Sequence, residues 1–116
     1  MAGKTSKYFV HISRTGVARP VRVREERLHD QIVGLADGAY ETVAVREGGQ
    51  YILLVREQEN YARTVPLNYA ASFLLGGRGR SVCGDAVLCM IDDTGEYVGF
   101  DKPFAQGMCA VLNFVE

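Results

Sequence analysis

Residues 64 to 91 read TVPLNYAASFLLGGRGRSVCGDAVLCMI and decide the fold, since they place a helix, a glycine-rich bend and the most apolar strand in direct succession. Pro66 suits a first helical turn, because its ring fixes a helical φ and its missing N–H would have no partner there. Leu67, Tyr69, Ala70, Ala71, Phe73, Leu74 and Leu75 are apolar around most of the helix, which predicts packing between other elements. Gly76 and Gly77 end it, glycine being the residue that most easily turns a helix terminus. Arg78-Gly79-Arg80-Ser81 follow, and Val82 to Asp92 reads as a strand. Two guanidinium groups flanking a glycine suit a phosphate or carboxylate, and the same residues also read as a solvated surface loop. The bend follows a helix C-terminus, so it lacks the positive dipole end and the spacing of a P-loop.

One domain is expected from 116 residues. A hydrophobic fraction of 47% against 23% charged residues excludes a disordered chain. A net charge of −1 offers no general field for nucleic acid or an anionic membrane. The charge is unevenly spread: Lys4, Lys7, Arg14, Arg19, Arg22 and Arg24 precede the first acidic residue, Glu25. No apolar run approaches the roughly 20 residues that span a bilayer, and the first dozen residues lack a signal-peptide core, so a cytoplasmic protein is expected. Cys83, Cys89 and Cys109 show no paired or metal-binding spacing and are expected to be small buried hydrophobes.

Residues 1 to 6 are expected to be frayed. Tyr8 to Ser13 and Arg19 to Arg24 read as a basic hairpin across Arg14-Thr15-Gly16, with Val21 and Val23 inward. Glu25 to Ala36 reads as a helix with Leu28, Ile32, Val33 and Leu35 as its apolar stripe. Ala39 to Arg46 and Tyr51 to Arg56 form a second hairpin, and Tyr61 to Val65 a short strand. After the central strand, Asp92 to Glu96 is a turn and Tyr97 to Phe100 a returning strand. Asp101 is the expected N-cap of a last helix with Phe104, Met108, Val111 and Leu112 at helical spacing. Gly107 weakens that helix, which leaves Val111 to Val115 as an alternative edge strand. The expected class is α+β, an antiparallel or mixed sheet of about five to six strands with two to three helices packed against one face.

The succession Val33-Gly34-Leu35-Ala36-Asp37-Gly38-Ala39-Tyr40-Glu41, Val65-Pro66-Leu67-Asn68 and Val82-Cys83-Gly84-Asp85-Ala86-Val87-Leu88 resembles a domain-of-unknown-function family common in bacteriophages and mobile elements. Its members run VGG-x-I-E, then LPLN, then I-x-G-x before an apolar strand. The chain departs from that pattern at Leu35, where the family has a second glycine, and in its arginine bend, where relatives vary in length. The resemblance brings no catalytic residues and marks Asn68 and Gly84 only as motif positions. A phage origin would place the protein in the host cytoplasm and imply a role such as sequestering a nucleotide-derived signal of bacterial immunity.

An enzyme needs a nucleophile, base or metal in a constellation, and His11 and His29 show no partner at a recognisable spacing. Asp92 and Asp93 read as turn formers rather than metal ligands, and no cofactor motif is present. The expected function is therefore non-catalytic binding of a small anionic, nucleotide-like molecule. Arg78 and Arg80 would clamp the anion, Ser81 and the Gly79 amide would add hydrogen bonds, and Tyr61 or Tyr69 would stack on a base. Asn68 belongs to the same candidate set, with a second reading as a residue that hydrogen-bonds the first turn of its helix. Such pockets form most easily between subunits, which predicts a homo-oligomer. The alternatives are a protein-interaction module acting through the basic hairpin or an edge strand, and nucleic-acid binding, which the charge balance argues against.

Overall fold

A computed structural model describes residues 7–36, 38, 40–45, 50–56, 68–75 and 82–113. The elements run β1 (Tyr8–Ile12), β2 (Ala18–Arg22), a 3-10 turn (Glu25–Arg27), α1 (Leu28–Ala36), β3 (Tyr40–Ala44), β4 (Tyr51–Arg56), α2 (Tyr69–Leu75), β5 (Ala86–Ile91), β6 (Tyr97–Val98) and α3 (Lys102–Leu112). The expected strand at 61–65 lies outside the described residues. The fold is α+β, with the strands in the order β2-β1-β5-β4-β3 and β6 continuing beside β5. The pairings of β1 with β2 and β5, of β4 with β3 and β5, and of β5 with β6 are antiparallel.

The central position of β5 follows from its sequence, since Ala86, Val87, Leu88 and Cys89 are all buried and no polar residue interrupts them. Strand alternation sends successive side chains to opposite faces. Val10, Ile12, Leu53, Val55 and Leu88 meet Ala70, Ala71 and Leu75 of α2 and Ala105, Cys109 and Leu112 of α3. Phe9, Ile52, Leu54, Val87 and Cys89 meet Ile32 of α1 on the other face. The helices therefore cover both faces, not one: β1, β4 and β5 carry apolar residues on both sides, and a single helical layer would leave half of them in water.

α3 runs through Gly107 to Leu112, so the alternative edge strand from Val111 does not form. Asp101 caps it as expected, accepting from the Phe104 N–H at 3.0 Å. Its buried stripe is Ala105, Cys109 and Leu112, while Val111 is 58% exposed. Small residues at 105 and 109 let the helix approach the sheet. Phe104 instead packs at the margin, with its ring 4.9 Å from that of Phe100 and 6.1 Å from that of Tyr51. α2 is described from Tyr69, the expected first turn at Pro66 lying outside the described residues, and both Tyr69 and Phe73 are 60% exposed, so one side of this helix meets solvent.

The two sheet edges differ. Ser13 N–H donates to Val17 C=O and Val23 N–H to Lys7 C=O, so the odd-numbered residues of β2 bond to β1 and the even ones turn outward. Asn113 fills both groups of Ala18, accepting its N–H at 2.7 Å and donating to its C=O at 3.1 Å. Pro20 has no N–H. Gln31 donates to Arg22 C=O at 2.7 Å and accepts from Arg24 N–H at 2.8 Å. At the opposite edge, Val45 N–H donates to Tyr51 C=O, which turns the main-chain groups of Tyr40, Thr42 and Ala44 away from β4. Among the described residues nothing meets them, and Thr42 is exposed.

The β5–β6 turn is held by Asp92, whose Oδ1 accepts from Thr94 Oγ1 at 2.7 Å, Thr94 N–H at 2.9 Å and Glu96 N–H at 2.9 Å. Gly95 supplies the left-handed residue at φ +87. The hydrogen bond from the Thr94 hydroxyl, followed by those from the backbone, holds the Asp92 carboxyl below its ordinary value of 3.8. Its contribution is thus complete above that value and is lost as pH falls through the lower folded one. Carboxyl titration by NMR is expected to show Asp92 ionising below 3.8 in the wild type and closer to it in Thr94→Ala.

Two glycine substitutions are expected to act in opposite directions. A Cβ on Gly99 would stand 2.9 Å from the Tyr8 nitrogen, 3.0 Å from its carbonyl oxygen and 2.7 Å from Val23 Cγ2. Gly99→Ala should cost about 1–3 kcal/mol, because backbone atoms cannot step aside. Gly107 meets nothing within 4 Å on the exposed side of α3. Gly107→Ala should add about 0.5–1 kcal/mol through helix propensity. Urea unfolding of both variants checks the pair.

Candidate functional site

Asn68 is the candidate residue whose position the structure explains most completely. It is 0% exposed and precedes the first residue of α2. Its Oδ1 accepts from Ala71 N–H at 3.1 Å, the usual bond of a helix N-cap. Its Nδ2 shares two N–H bonds among three carbonyls: Ile12 and Ser13 at 3.1 Å each, and Gly84 at 2.8 Å. The Asn68 backbone N–H donates to Val82 C=O at 2.7 Å, and Val82 N–H donates to Ser72 Oγ at 2.8 Å. The amide is committed to the fold, so Asn68 positions the corner instead of offering a free group to a ligand. Gly84, the other motif position, reaches this bond with a φ of +84.

A polar trio stands at the same corner. Arg14, in the β1–β2 turn, donates to Asp85 Oδ1 from its backbone N–H at 2.7 Å and from Nε at 3.3 Å. His11 Nε2 lies 3.4 Å from Asp85 Oδ2. Neither ring nitrogen of His11 makes an aligned hydrogen bond, although the residue is only 7% exposed. The Arg14 side chain remains 38% exposed. The His11–Asp85 approach is invisible along the chain because the two residues belong to different strands. Only the pairing of His11 with Val87 brings Asp85, two residues earlier, beside it.

Of the sequence candidates, Tyr69 presents its ring to solvent at the first turn of α2. Arg78, Gly79, Arg80, Ser81 and Tyr61 lie outside the described residues. Residues 76–81 connect Leu75, buried at the end of α2, to Val82, bonded to Asn68 and Ser72. No known family model, no curated protein and no solved structure matches the chain.

A second cluster lies over the α1 side of the sheet. The Tyr40 hydroxyl is 3.0 Å from His29 Nδ1, and its ring lies 6.4 Å from that of Tyr97. Burial, then the neighbouring Tyr97, pushes the Tyr40 phenol above its ordinary value, so it stays protonated at neutral pH. Burial also pushes the Cys89 thiol up to about 12, which leaves it a packing residue rather than a nucleophile. Among the described residues no three His, Cys, Asp or Glu side chains gather closely enough to hold a metal ion. No helix there is long and apolar enough to cross a membrane. A groove of about 440 Å³ runs along Val21, Arg22, Val23 and Arg24, with Glu26 and Gln31 opposite. Glu26 thus sets a carboxylate in the same groove as Arg22 and Arg24.

Removing the Asn68 amide leaves three carbonyls without their donor. Asn68→Ala should lower stability by on the order of 2–4 kcal/mol, since each orphaned buried acceptor costs about 1–3 kcal/mol before relaxation. Asn68→Asp should cost more at neutral pH, because a carboxylate would face those oxygens. Denaturant unfolding followed by circular dichroism measures both.

Proposed function

We propose that this is a small non-catalytic binding protein that sequesters an anionic, nucleotide-derived molecule, at the corner where the β1–β2 turn, α2 and the entry to β5 meet. The observation that supports it most directly is the anchoring of Arg14. Asp85 takes its Nε and backbone N–H, which orients a half-exposed guanidinium at the surface without burying it. The segment that carries Arg78 and Arg80 leaves from Leu75 and returns at Val82, and Val82 belongs to the same hydrogen-bonded corner as the Ser13 carbonyl. Arg78 and Arg80 clamp the anion, Gly79 and Ser81 contribute hydrogen bonds, and Tyr69 offers a ring for a base. The resemblance to phage and mobile-element domains suggests an immune signal as the ligand and the host cytoplasm as the place.

A second reading, a module that binds a host protein through the basic hairpin, draws on the exposed Arg19, Arg22 and Arg24. Asn113 and Gln31 occupy most of the outward main-chain groups there, so such a contact would be made by side chains rather than by strand addition.

A thermal-shift screen with cyclic dinucleotides, ADP-ribose derivatives and NAD tests the proposal. A ligand present at about 100 times its dissociation constant adds about 2.7 kcal/mol, which raises the melting temperature by several degrees in a domain of this size. The double change Arg78→Ala/Arg80→Ala is expected to abolish the shift while leaving the unliganded melting temperature in place. A flat response across the screen, or a shift that survives the double change, counts against this site.

A further inference from the structure

We infer that β3 is the joint of a symmetric dimer, pairing antiparallel with β3 of a second copy about a two-fold axis through Thr42. This stands on the sheet edges alone and is independent of the ligand reading. An exposed strand edge is a template for another strand, and proteins that keep an edge to themselves block it with proline, charge, bulges or side-chain plugs. β2 carries such devices: Pro20, the Asn113 amide on Ala18, and the Gln31 amide on Arg22 and Arg24. β3, reading Tyr40-Glu41-Thr42-Val43-Ala44, has neither proline nor lysine. Among the described residues no side chain meets its outward main-chain groups. Among the described residues, side chains close the β2 edge and none closes the β3 edge.

The sequence of β3 fits a second copy of itself. With Thr42 on the axis, Tyr40 stands opposite the partner's Ala44 on the α1 side of the sheet, and Glu41 opposite the partner's Val43 on the other. The two glutamates are not directly opposed, so the joint avoids a like-charge pair. Thr42, Tyr40 and Ala44 turn their main-chain groups outward, and opposed residues of that kind exchange two bonds each. About six main-chain hydrogen bonds would cross the joint. Charge favours this edge as well, since the basic strand β2 is at the far side of the sheet. Four strand spacings within each copy and one at the joint put the two β2 strands about 43 Å apart, well beyond the ~8 Å screening length of physiological salt. Tyr40 is braced from behind by His29 and Tyr97, and Thr42 Oγ1 lies 3.3 Å from the Tyr97 hydroxyl, so the edge is already ordered in one copy. A two-fold dimer is also the commonest closed assembly.

Sedimentation equilibrium on the full chain tests it. The wild type is expected to show a concentration-dependent dimer, and hydrogen exchange to show protection of the Thr42 and Ala44 amides that disappears on dilution. Thr42→Lys and Thr42→Glu each set like charges on the axis and are expected to weaken self-association by about tenfold or more. Mixing the two variants in equal amounts should restore a dimer, because lysine then faces glutamate. That recovery also shows that both variants fold. A wild type that stays monomeric at its highest soluble concentration overturns the inference. So does a dimer indifferent to both substitutions, or a mixture that associates no better than its components.

Discussion

One buried amide sets the geometry on which the rest depends. The Asn68 side chain bonds the end of β1, the approach to β5 and the first turn of α2 at once, so three segments far apart in sequence share one fixed point. A buried carbonyl without a donor is costly, and Ile12, Ser13 and Gly84 place three such oxygens in one small volume. Only a short side chain with two N–H bonds and an acceptor satisfies them while capping a helix. The second face of the sheet is roofed by α2 because this amide holds its first turn, and Leu75 and Val82 stand where they do as a result.

From that corner the chemistry of the surface follows. Asp85 sits one residue beyond Gly84, and its carboxylate collects Arg14 from the neighbouring turn and the ring of His11 from the strand. A carboxylate shared between a guanidinium and an imidazole is a positioning device. It ties the β1–β2 turn to the entry of β5 through Arg14.

The sheet itself distributes its polar groups unevenly. Gln31 of α1 and Asn113, the residue after α3, close the β2 edge, so these helices both cover the faces and finish one margin. The same helices leave β3 without such cover. Basic residues collect on the β2 edge, and Tyr40, Tyr97 and His29 gather toward the other.

Alternation and turn chemistry made the strands β1, β3, β4 and β5, the Asp92 turn and the Asp101-capped helix legible along the chain, because each depends on residues within a few positions of one another. The α+β class and the burial of Cys89 and Cys109 were legible for the same reason. On α3 local pattern placed Cys109 and Leu112 inside but did not single out Ala105, while Phe104 and Val111 stay exposed. Closeness of packing against a sheet favours small residues, and hydrophobicity alone does not report it. It also missed the placement of helices on both faces, the joining of His11 to Asp85, and the plugging of β2 by Gln31 and Asn113. Each of those rests on strand order and register, and strand order is settled by which combination of long-range pairings buries the most apolar surface and leaves the fewest polar groups unpaired. Sequence determined the pieces, since their causes are local; tertiary structure decided which polar side chains meet, because those distances exist only once the sheet has closed.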